Sequence, residues 1–104
     1  MLAENFPDAQ LVAFGHVGDG NLHYNVQLPS GTSGEDSSEQ EEQVSVLIYD
    51  LVEEFGGSIS AEHGVGVLKR EYLKRYKSDV DLNLMRTLKD ALDPQNVLNP
   101  GKVI

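Results

Sequence analysis

The sequence predicts an α+β fold, in which a small antiparallel sheet carries helices on one face and further helices follow at the C-terminal end. Three observations predict it: two strand-like runs around an Asp-Gly turn, one long amphipathic segment in the middle of the chain, and two shorter helical segments after it. With 104 residues and no cysteine, the chain is the size of one small domain. It can bury one hydrophobic core, and the absence of cysteine excludes disulfides and thiolate metal sites.

The first predicted elements are two strands, residues 11–15 and 22–28, joined by a tight turn. Apolar and polar residues alternate along the second strand, as they do in a strand with one buried face. The apolar positions are Leu22, Tyr24, Val26 and Leu28. Asp19-Gly20 stands between the two runs and favours a two-residue type I′ turn, in which both central positions need positive φ. These residues therefore predict a hairpin with one face toward a core.

Helical periodicity begins after a polar loop at residues 29–38, which is rich in turn-forming residues. Residues 38–55 carry apolar side chains at three- and four-residue spacings, which predicts an amphipathic helix. These side chains are Val44, Leu47, Ile48, Leu51, Val52 and Phe55. Gly56-Gly57 is expected to end the helix, because glycine accepts the left-handed conformation found after many helix C-termini.

The rest of the chain is predicted to hold a short strand or extended run at 58–61 and helices near 67–76 and 79–92. Ser78 or Asp79 can cap the last helix, and Asp93-Pro94 stops it. This order matches a partial ferredoxin-like layer, an open β-α-β-β-α-β arrangement without its first strand and most of its first helix. A partial sheet has an unpaired edge, and a second copy pairing there would give a homodimer.

Charge and hydropathy argue against nucleic-acid binding and against a transmembrane segment. The formal net charge of −9 argues against nucleic acid, whose binding needs a basic surface. Residues 1–68 hold twelve acidic side chains and no Lys or Arg, whereas residues 69–104 hold five acidic side chains and all eight basic ones. An anionic partner would therefore meet the C-terminal third, and the alternative is a basic helix that only faces solvent. No apolar stretch is long enough for a transmembrane segment and the N-terminus does not fit a secretory signal, so we expect a cytoplasmic protein.

A candidate metal site lies in the hairpin segment GHVGDGNLHYN, residues 15–25. With Asp19 and Gly20 at the turn centre, His16 falls directly opposite His23, and opposed residues on an antiparallel pair have Cβ atoms about 4.5–5.5 Å apart. Two imidazoles held in this way can reach one ion at the usual Zn–N distance of about 2.0–2.1 Å. Asp19 competes as a ligand, but the turn directs it outward, so we expect it to cap the turn.

The carboxylate that would complete this site is expected in GGSISAEHGVG, residues 56–66, where small residues around Glu62 allow close approach of a ligand. Two histidines and one carboxylate leave coordination positions open, as catalytic metal sites require. His63 follows Glu62, and neighbours in an extended segment point to opposite sides. His63 is therefore expected to act as a general base, because imidazole is the usual proton acceptor at neutral pH.

The segments GHVGDGNLHYN, SAEHGVG and DPQNVLNPGK together resemble the C-terminal domain of the FAD-linked oxidases in the vanillyl-alcohol oxidase superfamily. The resemblance runs from Phe6 to Ile104 and is nearest to D-2-hydroxyglutarate dehydrogenases, D-lactate dehydrogenases and the glycolate oxidase flavin subunit. Residues 57–62 look more like the hydroxyglutarate branch. The resemblance implies oxidation of a small-molecule D-2-hydroxy acid at its α-carbon by FAD.

The resemblance also implies roles for individual residues. His16, His23 and Glu62 would bind a divalent metal, commonly zinc, which holds the hydroxyl and carboxylate oxygens of the substrate as a Lewis acid. His63 would take the hydroxyl proton while hydride leaves the α-carbon for the flavin. Asn21 would hydrogen-bond the substrate or the flavin, and Asn99 and Lys102 would lie against the flavin domain, near the cofactor.

The flavin domain of that family is missing from the 104 residues, so residues 1–104 are expected to be the substrate- and metal-binding C-terminal part of a longer enzyme. We expect this part alone neither to bind FAD tightly nor to turn over. One alternative is a stand-alone divalent-metal-binding module or metal-dependent hydrolase with the same three ligands. Another is a phosphate cradle at Gly64-Val65-Gly66 before a helix, although neither common glycine-rich phosphate motif is present.

Overall fold

The computed structural model of the chain describes residues 2–29, 31 and 34–104. The elements in that part of the chain are α1 (Leu2–Asn5), β1 (Gln10–His16), β2 (Asn21–Gln27), α2 (Gly34–Glu54), α3 (Arg70–Tyr76) and α4 (Asp79–Leu92). The two strands form an antiparallel sheet, so the predicted α+β class is confirmed. The chain divides into two compact units, Met1–Ile59 and Ser60–Ile104. The first contains the sheet and α2, and the second contains α3 and α4.

Helix α2 begins earlier than its apolar periodicity indicates. It starts at Gly34, so residues 34–38 of the predicted polar loop are helical, while residues 30, 32 and 33 of that loop lie outside the described residues. Glu35 and Asp36 stand in the first turn, where carboxylates stabilise the positive end of the helix dipole. Ser38 Oγ also donates a hydrogen bond to the Gly34 carbonyl at 3.0 Å. Polar side chains that are typical of loops thus support a helix start here.

The two glycines after α2 end the helix as predicted. Gly57 N–H donates to the Val52 carbonyl at 2.8 Å and Gly56 N–H donates to the Glu53 carbonyl at 2.9 Å. This pair of bonds is the Schellman arrangement, and Gly56 has the left-handed φ of 67° that it requires. Phe55 lies after the last helical residue with 81% of its surface exposed, so its predicted place on the buried face is wrong.

The predicted apolar face of β2 borders α2 within the first unit. Tyr24, Val26 and Leu28 line a pocket of about 300 Å³ together with residues of α2 that include Val44 and Ile48. Val44 is buried, as expected for the centre of an amphipathic helix face. Three of the four predicted apolar positions therefore lie at this pocket, together with Asn25 from the predicted polar face, while Leu22 at the start of the strand remains exposed.

The predicted start of α3 is wrong, whereas the predicted bounds of α4 are confirmed. Residues 58–61 form no strand, and residues 66–69 form turns, so α3 starts at Arg70 rather than near residue 67. Helix α4 has the predicted bounds, Asp79–Leu92. Ser78 caps α4, because its Oγ accepts a hydrogen bond from the Asp81 N–H at 3.1 Å.

A buried carboxylate organises the C-terminal end of α4. Asp93 is buried beside the helix and accepts hydrogen bonds from the Lys89 ammonium and from the backbone N–H groups of Val97 and Leu98, the latter two at 3.0 and 2.9 Å. The Lys89 hydrogen bond lowers the pKa of Asp93 from 3.8 to about 2, and the two backbone donors act in the same direction against the effect of burial. The residue that stops the helix therefore also holds the segment after it.

Replacing Asp93 by asparagine is expected to lower the Tm at neutral pH by about 4–8 °C, because three donors lose a buried, charged acceptor. A carboxyl whose pKa falls on folding stabilises the folded state above its unfolded pKa of 3.8 and ceases to do so as the pH falls toward 2. The difference in Tm between the wild type and Asp93→Asn should therefore shrink across that acid range. Thermal unfolding followed by circular dichroism at several pH values measures it. Asp90→Asn, an exposed change on the same helix, is the control, and an equal loss in both variants would contradict the assignment.

Candidate metal centre

The hairpin that carries two of the predicted ligands has a longer turn than the Asp-Gly signal predicts. β1 ends at His16 and β2 begins at Asn21, so four residues, 17–20, connect the strands. Gly20 N–H donates to the His16 carbonyl at 3.1 Å, and Gly20 has a positive φ of 69°. Asn21 N–H donates to Asp19 Oδ1 at 3.2 Å, so Asp19 caps the turn as predicted.

The longer turn changes the strand register. His16 lies opposite Asn21, and His23 lies opposite Phe14, so the predicted direct pairing of the two histidines is wrong. The register differs from the predicted one by two residues along the partner strand. Because side chains alternate with a period of two, a shift by two keeps every side chain on its face. The two histidines are therefore diagonal neighbours on one face of the hairpin.

The diagonal placement still brings the two imidazoles close together. The ring centroids of His16 and His23 are 6.1 Å apart, and the ring planes are inclined by 59°. Two rings that share one ion have centroids roughly 5–6 Å apart when each Zn–N bond is about 2.0–2.1 Å long. The observed separation is slightly longer than that range. The hairpin thus has the donor type and the spacing for two ligands of one metal ion, with small side-chain rotations.

Two neighbours of the histidines, Phe14 and Asp19, make contacts that were not predicted from the sequence. The Phe14 ring stacks on the His23 ring with 4.9 Å between centroids and 4° between planes. Asp19 Oδ2 lies 3.5 Å from His16 Nδ1, in addition to the turn contact of the same carboxylate. Strand alternation gave a signal for Phe14, since a residue two positions before His16 shares its face. The Asp19 contact depends on the turn geometry and had no comparable signal.

Glu62 and His63 belong to the second unit, in the loop before α3. Both side chains are exposed. Ser60 Oγ donates to the Gly64 carbonyl at 2.6 Å, which closes a bend around the Glu62–His63 pair, and Gly64 has a positive φ of 72°. The segment is therefore bent rather than extended. The expectation that the two side chains point to opposite sides rested on an extended backbone, so it loses its basis.

The glycines of this loop do not form the phosphate cradle considered as an alternative. Gly66 is followed by a turn, and α3 begins only at Arg70. Such a cradle needs its glycines at the start of the helix, where the free backbone N–H groups point at the anion. Gly66 instead accepts a hydrogen bond at its carbonyl from Val103 N–H at 2.8 Å. This bond ties the C-terminal segment to the loop that carries Glu62 and His63.

The three other predicted site residues lie in both units. Asn21 is half-buried at the start of β2, in the register position opposite His16. Asn99 and Lys102 are exposed in a turn of the second unit, where Lys102 N–H donates to the Asn99 carbonyl at 3.2 Å. Asn99 has a positive φ of 46°, a conformation that asparagine tolerates better than most residues. The turn gives both residues defined positions after α4.

Of the helices in residues 2–29, 31 and 34–104, none combines the length and the apolar character that crossing a membrane demands.

Three known proteins are similar to this chain over more than nine tenths of its length. The chain is 47% identical to a D-2-hydroxyglutarate dehydrogenase of Xanthomonas citri pv. viticola over 103 residues, which cover 99% of the chain and 22% of that protein. It is 41% identical to the glycolate oxidase subunit GlcD of Bacillus subtilis over 99 residues, which cover 92% of the chain and 20% of the relative. It is 38% identical to a D-lactate dehydrogenase of Anaerostipes hadrus, with the same coverage of 92% and 20%.

The chain therefore spans about a fifth of the length of these relatives. All three are named for the oxidation of a 2-hydroxy acid, and the matched part includes the hairpin and the loop around Glu62. Residues 2–103 match the family described as FAD linked oxidases, C-terminal domain. The resemblance expected from the hairpin and loop motifs is thereby confirmed, and the chain belongs to the C-terminal domain family of the FAD-linked oxidases.

Proposed function

We propose that the chain is the substrate- and metal-binding part of an FAD-dependent dehydrogenase that oxidises D-2-hydroxy acids. The observation that carries the proposal is the pair of imidazoles, His16 and His23, on one face of a hairpin in a member of this family. The names of the relatives support the substrate class, and the 47% identity to the D-2-hydroxyglutarate dehydrogenase, against 41% and 38% to the two other relatives, favours D-2-hydroxyglutarate over D-lactate or glycolate. The flavin-binding part of such an enzyme would lie in the portion of the relatives that this chain does not cover.

Three side chains would hold a divalent metal in this proposal, with zinc as the first candidate. His16 and His23 offer neutral imidazole nitrogens, and Glu62 offers a carboxylate in a bend that is flanked by small residues. A set of two histidines and one carboxylate leaves room for substrate oxygens. When bound, the ion supplies Lewis-acid polarisation of the hydroxyl and carboxylate of the hydroxy acid.

His63 would take the proton of the substrate hydroxyl at one of its ring nitrogens. Removal of this proton lets the electron pair on oxygen form the carbonyl as hydride leaves the α-carbon. FAD supplies the acceptor for that hydride. Asn21 would donate a side-chain hydrogen bond to substrate or flavin, and Asn99 and Lys102 would face the flavin part of the enzyme.

A chimeric enzyme tests this function directly. In it, the matched segment of the Xanthomonas citri D-2-hydroxyglutarate dehydrogenase is replaced by this chain, and oxidation of D-2-hydroxyglutarate, D-lactate and glycolate is measured with a dye acceptor. We expect oxidation of at least one of these three acids, and loss of that activity when bound metal is removed with a chelator. The parent enzyme, treated in the same way, is the control.

A folded chimera with bound FAD that oxidised none of these acids would overturn the proposal. The isolated chain, loaded with zinc, is assayed in parallel on simple esters and amides. Hydrolysis there at a rate set by the metal, with no oxidation by the chimera, would establish the metal-hydrolase alternative.

A further inference from the structure

Asp19 makes two contacts with one carboxylate, and they join the hairpin turn to a proposed metal ligand. Oδ1 accepts the hydrogen bond from Asn21 N–H at 3.2 Å, while Oδ2 lies 3.5 Å from His16 Nδ1. Asn21 is also the residue directly opposite His16 in the strand register. The carboxylate thus sits between the backbone of β2 and the imidazole at the end of β1. Its orientation is set by the turn, because the Asn21 contact holds one oxygen.

We propose that Asp19 is a positioning residue, which holds the His16 ring with Nδ1 toward the turn so that Nε2 is the nitrogen that binds the metal. This inference rests on the proposed function. Histidines that ligate a metal commonly donate their second ring N–H to a carboxylate or carbonyl, and that contact selects the tautomer and orients the ring. Asp19 is the carboxylate that the hairpin directs at the Nδ1 side of His16.

A role for Asp19 in a stabilising surface ion pair explains this arrangement less well than a role in positioning the His16 ring. His16 and Asp19 keep 58% and 64% of their side-chain surface exposed, and exposed pairs of this kind contribute little to stability. What the contact does fix is direction. A neutral imidazole carries its proton on one nitrogen only, and a carboxylate can only accept. A carboxylate beside Nδ1 therefore favours the tautomer with the proton on Nδ1 and the lone pair on Nε2.

The same geometry argues against Asp19 as a metal ligand itself. One of its oxygens is used by Asn21 N–H, and the other is directed at the His16 ring. A metal bound at Asp19 would compete with His16 Nδ1 for the same oxygen. The turn thus assigns Asp19 to the support of a ligand, which is also what distinguishes it from a residue that merely closes the hairpin.

The test compares Asp19→Asn with the wild-type chain. Asparagine keeps the side-chain oxygen that caps the turn, but it replaces the second acceptor by an NH₂ donor, which repels Nδ1–H. We expect zinc affinity, measured by competition with a chromophoric chelator, to fall by about 10–100-fold. In the metal-free chain above neutral pH, ¹⁵N NMR of the His16 ring should change from the Nδ1–H to the Nε2–H tautomer. A purely structural role for Asp19 would not move that tautomer.

Two further variants control for the change of charge and for loss of the turn contact. Asp8→Asn makes the same change of charge at an exposed site before β1, and it should leave both affinity and tautomer unchanged. Asp19→Ala removes the turn contact as well, so backbone amide shifts should reveal hairpin loss there and not in Asp19→Asn. If the wild type bound zinc and Asp19→Asn bound it equally, the proposal for Asp19 alone would fall. A folded wild-type chain that bound no zinc would overturn the proposed metal site itself.

Discussion

His23→Ala is expected to lower the zinc affinity of the chain by at least about 100-fold. The reason is that loss of a direct ligand should exceed the 10–100-fold cost typical of losing a residue that supports one. The ring centroids of the two imidazoles are 6.1 Å apart, so both rings can contribute to one ion only as a pair. Elemental analysis of the purified variant and a zinc titration with a competing chelator measure the effect. His16→Ala should behave in the same way.

The matched control for these variants is Gln27→Ala. Gln27 lies on the same strand as His23 and, four residues further along, on the same face, but it is exposed and offers only a neutral amide, a weak ligand for zinc. The Gln27→Ala variant should bind zinc with the affinity of the wild-type chain. Retention of full affinity by both histidine variants would show that the hairpin pair is not the metal site, whatever the chimera does with hydroxy acids.

The second large effect is expected for His63→Ala in the chimeric enzyme. Turnover should fall by about 10²–10⁴-fold, the range that general base catalysis typically contributes, while bound metal and FAD stay at the wild-type level. Steady-state oxidation with a dye acceptor and metal analysis of the same sample give the two readouts. Added imidazole should restore part of the activity, because it supplies the missing proton acceptor.

The neighbouring variant Glu62→Gln separates the roles of the two adjacent residues. It should lose metal, since an amide is a weaker ligand than a carboxylate, and lose activity as a consequence. The bend at residues 61–63 leaves the side chains of Glu62 and His63 both exposed. The comparison of these two variants therefore decides which residue is the metal ligand and which is the base. If His63→Ala lost the metal and Glu62→Gln kept it, the two roles would be exchanged.

Local signals predicted the parts of the fold that depend on neighbouring residues. The bounds of α4, the Ser78 cap and the Gly56-Gly57 end of α2 all follow from side-chain or backbone hydrogen bonds over a few residues. The same is true of the Asp19 cap in the hairpin turn. Such features are encoded within one or two turns of chain, which is why composition and spacing were enough to predict them.

The start of α2 and the absence of a strand at 58–61 were not predictable in this way. Residues 34–38 are polar and favour a loop by composition, yet they continue a helix whose apolar positions begin later. Residues 58–61 have a sequence that permits an extended strand, but in the described part of the chain they bend. Propensity is a weak prior at such positions, because a strand needs a partner and a helix can be extended by the stability of its remaining turns.

At the candidate centre, the sequence by itself determined the residue types: one histidine on each side of an Asp-Gly turn, and an adjacent Glu-His pair among glycines. The predicted register also placed His16 and His23 on one face, which the observed register preserves. Only the tertiary structure decided the register, the stacking of Phe14 on His23 and the contact of Asp19 with His16. The physical reason is that a period of two leaves the face unchanged when a longer turn moves the pairing by two residues, whereas every direct neighbour changes.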